Sequence, residues 1–163
     1  MAETTIGVIG GSGLYGIGGL EDAEWRAVRS PWGTPSDSIL TGRIEVVPVA
    51  FLPRHGRGHR LGPTDIDYRA NIDALKRLGV TDVISVSACG SFREDLAPGE
   101  FVLVDQFIDR TVNRARTFFG PGLVGHVSMA EPACARLRGA LLEAAQGLSI
   151  PVHRAGTYLC MEG

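Results

Sequence analysis

The chain has 163 residues, of which 44% are hydrophobic and 21% charged, and its formal net charge is -2. A length near that of one domain with an ordinary apolar fraction describes a globular chain with a sizeable core and excludes wholesale disorder. The near-neutral charge excludes a global attraction to nucleic acid or to an anionic membrane, so an anionic ligand needs a local cluster of positive groups.

Residues 1–5 are short and acidic and carry no basic-then-apolar targeting pattern. Residues 4–9 predict a short apolar strand entering the turn Gly10-Gly11-Ser12-Gly13. A second strand falls near 25–28, followed by turn residues over 31–37. Residues 39–52 alternate and then become continuously apolar, which predicts a hairpin-like pair whose second strand is buried. Residues 65–78 predict a helix with Ile72, Leu75 and Leu78 on one face and Gly79 as its stop. Strands follow over 82–88 and 101–105. A second helix spans 132–147, with Pro132 in its first turn, Leu137, Leu141, Leu142, Ala145 and Leu148 facing inward, and Gly147 near its end. The last strand runs over 152–161. Interspersed strands and helices predict an α/β fold, a mixed twisted sheet flanked by helices, with residues 1–163 forming one domain or part of one. No apolar run approaches the ~20 residues of a membrane span.

Three segments carry chemistry. The strand ending in Gly10-Gly11-Ser12-Gly13 offers backbone N–H groups and the Ser12 hydroxyl to a phosphate. Gly11, Gly13 and Gly16 also have Gly-x-Gly-x-x-Gly spacing, with Asp37 further on, so an NAD-dependent oxidoreductase is an alternative. That spacing has to open a helix, and Ile17-Gly18-Gly19-Leu20 is a poor start for one. The second segment, Arg54-His55-Gly56-Arg57-Gly58-His59-Arg60, follows a buried strand and concentrates arginine forks that match phosphate oxygens. Taken alone it is equally a solvated basic loop. The third, Ser85-Val86-Ser87-Ala88-Cys89-Gly90-Ser91, ends a strand in small residues that let a flat ligand approach the backbone, with Cys89 read as a buried structural thiol. Cys89, Cys134 and Cys160 are odd in number and lack a Cys-x-x-Cys pair, which argues against disulfides or a zinc site and fits a reducing cytoplasm. His126 and His153 read singly as structural.

In their order and spacing, residues 6–14, 51–59, 68–72, 87–92, 98–111 and 156–163 together resemble the 5'-methylthioadenosine phosphorylase family of the purine nucleoside phosphorylase superfamily. Arg54-His55-Gly56-Arg57 and Asp105-Gln106-Phe107-Ile108-Asp109-Arg110-Thr111 are the most specific pieces. Ser87-Ala88-Cys89-Gly90-Ser91 stands where related phosphorylases carry an Asn-Ala-Ala-Gly-Gly type segment, and Glu162 where they tend to have alanine. The resemblance implies a nucleoside phosphorylase fold and phosphorolysis of 5'-methylthioadenosine to adenine and 5-methylthioribose 1-phosphate. Inorganic phosphate is the co-substrate, and neither metal nor organic cofactor is needed. It implies that Ser12, Arg54, His55, Ser87 and Ala88 bind phosphate. Cys89, Gly90 and Met161 then border the purine, Pro63 and His59 lie close to the site, and His126 reaches a neighbouring subunit of a cytoplasmic homotrimer. The family continues past Glu162-Gly163 into a distal half that carries a base-stacking aromatic residue and the aspartate that serves the leaving purine. The resemblance therefore implies a fold cut short, with that aspartate outside these residues and activity of the chain alone near zero. Remaining alternatives are a 5'-methylthioinosine or 6-oxopurine nucleoside phosphorylase, and a non-catalytic fragment.

Overall fold

The computed structural model describes residues 4–11 and 18–162. The chain divides into two compact units, Met1–Ala88 with Ala115–Phe118, and Cys89–Arg114 with Phe119–Glu162.

The first unit runs β1 (Ile6–Gly10), β2 (Leu20–Arg26), β3 (Ile39–Ile44), β4 (Val47–Pro53), α1 (Tyr68–Arg77) and β5 (Asp82–Ser85). Its five strands form one sheet in the order β2-β3-β4-β1-β5. β2, β3 and β4 pair antiparallel, whereas β1 lies parallel to both β4 and β5. The mixed α/β architecture expected from the sequence is the one found. β4 shows why its sequence is continuously apolar. Ala50 and Leu52 pack with Ile39, Ala74, Leu75 and Val80 on the helix-covered face. Val49 and Phe51 pack with Leu40 on the other face. A strand buried on both sides loses the usual alternation.

Helix α1 starts three residues later than its apolar pattern predicts, because Asp67 caps it by accepting from Ala70 N. It buries Ala70, Asn71, Ala74 and Leu75, while Ile72 is 42% exposed, so the inward stripe is shifted from the predicted one. At its end Gly79 takes φ 82°, Gly79 N donates to Lys76 O and Val80 N donates to Leu75 O. That geometry satisfies the last carbonyls and drops Val80 into the core beside Leu75. β5 is shorter than expected. Its last bond to β1 is Val86 N to Ile9 O, and β1 ends at Gly10.

The second unit holds β6 (Phe101–Val102), β7 (Gln106–Arg110), α2 (Ala135–Gly147), β8 (Val152–His153) and β9 (Thr157–Met161). β6 pairs with β8 and β7 with β9, both parallel. The predicted 152–161 strand is thus two strands. Between them Gly156 N donates to Asp105 Oδ1 and Gly156 O accepts from Asp105 N, which closes one ladder and opens the next. β7 falls in a segment for which the sequence pattern assigned no strand. α2 begins at Ala135 with Cys134 in extended backbone as its N-cap, so Pro132 precedes the helix instead of opening it. Leu137, Leu141, Leu142 and Ala145 are half-buried, but Leu148, beyond the last turn, is 71% exposed. No helix among the described residues is long and apolar enough to cross a membrane.

Candidate active site

The parallel strands set the site. Register pairs Gly10 with Pro53 and Ile9 with Ser85, so β1, β4 and β5 reach their C-terminal ends along one edge of the sheet. Ligands in open α/β sheets bind beyond such ends. Two of the chemically suggestive segments leave the sheet here, the basic loop after Pro53 and the small-residue segment after Ser85, and β1 itself ends here at Gly10. Arg54 N donates to Gly10 O at 3.1 Å, which ties the basic loop to the end of β1. Ser12, with Gly13 and Gly16, lies outside the described residues.

The basic loop is folded on itself. Gly56 N donates to Pro53 O, His59 N to Gly56 O and Leu61 N to His55 O. Gly56 sits at φ 70°, and a Cβ there would meet the Arg60 guanidinium at 2.8 Å and Ser36 O at 3.0 Å. Glycine is required at that position on both counts.

The three arginines separate into two groups. Arg57 and Arg60 turn to Asp37, whose side chain is only 8% exposed. Asp37 accepts from Arg57 N at 2.7 Å, from Arg57 Nη2 at 2.9 Å and from Arg57 Nε at 3.2 Å, and Arg60 Nη2 lies 3.6 Å away. The Arg57 guanidinium also lies 4.1 Å from the centre of the Trp25 ring. Burial works to raise the Asp37 carboxyl, but the hydrogen bonds from the Arg57 side chain and backbone and from Ser38 N outweigh it and hold the group at about 2. Arg54 stays outside this cluster. Its Nη1 donates to Ser87 Oγ and its Nε to His55 Nε2. The structure therefore brings Arg54, His55 and Ser87 together and assigns Arg57 and Arg60 to loop anchorage.

The other predicted residues are placed as follows. Ala88 is exposed just beyond β5. His59 is exposed, with its ring stacked on that of His55 at 4.4 Å. Pro63 O accepts from Tyr68 Oη at 2.8 Å. Cys89, Gly90, His126 and Met161 belong to the second unit. Cys89 is exposed and not the buried thiol expected, because β5 ends at Ser85 and the residue lies beyond it. Met161 ends β9 and is 62% exposed. Beside it Glu162 accepts from Val112 N and from Arg114 Nη2 at 3.2 Å, a clamp on the segment after β7. His153 lies 2.6 Å from Glu100 and keeps that carboxyl below its usual range, as a structural histidine would. Sequence reasoning missed the anchoring role of Asp37. Its signal is the β3–β4 register, which pairs Leu40 with Phe51 and so returns the chain just after β4 to the residue just before β3.

The fold decides against dinucleotide binding. β1 ends at Gly10 and β2 begins at Leu20, a gap too short for a crossover helix, and β2 pairs antiparallel with β3. Among the described residues no cluster of three or more His, Cys, Asp or Glu is placed to hold a metal ion.

A profile of the phosphorylase superfamily matches residues 5–163. The chain belongs to that superfamily. Within it, the chain is 67% identical over 161 residues to S-methyl-5'-thioadenosine phosphorylase of Cereibacter sphaeroides, covering 99% of this chain and 56% of that protein. It is 55% identical to the protein of the same name from Saccharolobus solfataricus, covering 99% of this chain and 60% of the relative. A crystal structure of methylthioadenosine phosphorylase from an antarctic soil metagenomic library superposes with a TM-score of 0.93 at 47% identity, covering 100% of this chain and 58% of that one. Methylthioadenosine phosphorylase from Schistosoma mansoni in complex with adenine superposes with a TM-score of 0.91 at 38% identity, covering 99% and 66%. This superfamily member thus spans a little over half the length of the curated relatives it matches.

Proposed function

We propose that this protein acts on 5'-methylthioadenosine by phosphorolysis, giving adenine and 5-methylthioribose 1-phosphate. The observation that carries the reading is the 67% identity, across 99% of this chain, to an enzyme named for that substrate. In the reaction a phosphate oxygen bonds to C1' of the ribose as the bond from C1' to the purine breaks. The electron pair goes to the base, which leaves with a proton. Such a centre passes through an oxocarbenium-like state, so the protein's task is to hold an anion beside a developing cation.

Arg54 supplies the fork for the phosphate, with His55 beside it and Ser87, the backbone at Ala88 and the Ser12 turn completing the pocket. Cys89, Gly90 and Met161 border the base, His59 and Pro63 lie close to the site, and His126 serves the site of another subunit in a homotrimer. No metal or organic cofactor takes part, and the setting is the cytoplasm. The group that protonates or hydrogen-bonds the leaving purine is not assigned to any of these residues.

The test is phosphate-dependent release of adenine from 5'-methylthioadenosine, with the 163-residue chain and with the complete reading frame that encodes it. Release by the complete frame, absent without phosphate, is the expected result. Cleavage of inosine or 5'-methylthioinosine in place of 5'-methylthioadenosine would retain phosphorolysis and overturn the substrate. Activity of the 163-residue chain by itself would overturn the expectation that a distal half is needed.

A further inference from the structure

The contacts of the His55 ring define its protonation state. Nδ1 lies 2.9 Å from Leu61 O, and a carbonyl only accepts, so Nδ1 carries the proton. Nε2 lies 3.2 Å from Arg54 Nε, and a guanidinium only donates, so Nε2 presents its lone pair. One species meets both demands, the neutral ring protonated at Nδ1. In that state Nε2 is occupied and has no proton to give to an anion. Leu61 is itself held, because its N donates back to His55 O at 3.0 Å.

We propose that His55 is a positioning residue for Arg54 and not a phosphate ligand through its ring: the neutral imidazole fixes Nε of Arg54, leaving the Nη end of the fork directed at Ser87 and the anion. This rests on the phosphate-binding reading above and refines it. Protonating the ring would place an N–H against the Arg54 N–H, two donors of like charge, and release the guanidinium. Among the described residues, the charged or titratable groups in contact with the ring are Arg54 and His59, whose ring stacks on it at 4.4 Å and 14°. Arg57 and Arg60 are turned to Asp37. Anion affinity at this site therefore increases as His55 loses its proton, opposite to the behaviour of a cationic histidine ligand.

Two measurements test this on the protein from the complete reading frame, in a His59→Gln background that removes the second imidazole. The first is the proton–nitrogen correlation spectrum of the His55 ring without anion, which distinguishes the tautomers. A neutral ring protonated at Nδ1 is expected. A ring protonated at Nε2, or at both nitrogens near neutral pH, overturns the inference whatever the anion does. The second is sulfate affinity across the range in which histidine titrates, sulfate being a probe of constant charge there. Affinity is expected to rise with pH, and the rise to vanish in His55→Gln, which keeps an acceptor for Arg54. His55→Ala is expected to bind sulfate roughly tenfold more weakly than His55→Gln, the scale of one charge-assisted hydrogen bond. Affinity that falls with pH in a His55-dependent way overturns the positioning role. An Nδ1-protonated ring with no sulfate affinity overturns the phosphate reading itself.

Discussion

At the residue scale the basic loop illustrates how equal charges come to different uses. The signal for an anion site was five basic or imidazole side chains within seven residues. It could not separate Arg54 from Arg57 and Arg60, because the separation is made by Asp37, which lies 20 residues from Arg57 in the chain. Asp37 also gives the loop an acid sensitivity. Its carboxyl sits at about 2 in the folded protein, against an ordinary value of 3.8. Between those values the unfolded chain binds more protons than the folded one, so stability falls as pH falls. The contribution is fully present above about 3.8 and fades as pH drops through about 2. Urea midpoints taken at mildly acidic pH and again within that window should drop for the native protein, and the drop should be smaller for Asp37→Asn. An equal drop in both would show that the Asp37–Arg57 cluster contributes nothing to acid stability.

At the element scale the two helices end with the same hydrogen bonds but different residues at the turning position. After α1 it is Gly79 at φ 82°. After α2 it is Ser149 at φ 56°, with Ser149 N donating to Gln146 O and Ile150 N to Ala145 O. Side chains other than glycine pay about 1–2 kcal/mol in that region, part of which glycine returns by its freedom when unfolded. Ser149→Gly is therefore expected to stabilise α2 by about 0.5–1 kcal/mol and Gly79→Ser to destabilise α1 by a similar amount. Thermal melts should move in opposite directions by a few degrees, and movement in the same direction would refute the argument. The sequence marked Gly79 as a stop because glycine announces itself, and it marked Gly147 for the same reason. The residue that turns the chain after α2 is Ser149, which announces nothing. The same limit applies to the strands. β4 was legible because burial on both faces leaves a continuous apolar run. β7 was not, since Gln106-Phe107-Ile108-Asp109-Arg110 is half-buried at Gln106 and exposed at the other four positions, which leaves no inside-outside alternation to detect.

At the scale of the whole molecule the apolar core is unevenly distributed. Every fully buried hydrophobic residue described lies between Ile39 and Val80, in the first unit. In the second unit α2 buries no residue fully, and Phe101, Phe107, Ile108, Leu123, Val124, Val127 and Met161 are all exposed. Protection against amide exchange follows buried, cooperatively packed hydrogen bonds. In the 163-residue chain, β1, β4 and α1 should therefore exchange slowest, and β6 to β9 with α2 far faster. The reactive segments should divide along the same line. The amides of Arg54, Gly56, Arg57, His59 and Leu61 donate to the end of β1, within the loop or to Asp37, so they should exchange slowly for a loop. Among the described residues, the amides of Cys89, Gly90 and His126 have no such support. Hydrogen exchange read by mass spectrometry over peptides covering 47–62 and 86–93 decides it. Slow exchange in the first and fast in the second would mean that this chain holds the basic loop in a prepared geometry while the segment around Cys89 and Gly90 is not so held. Equal exchange in both would show that the sheet edge does not order the loop that leaves it.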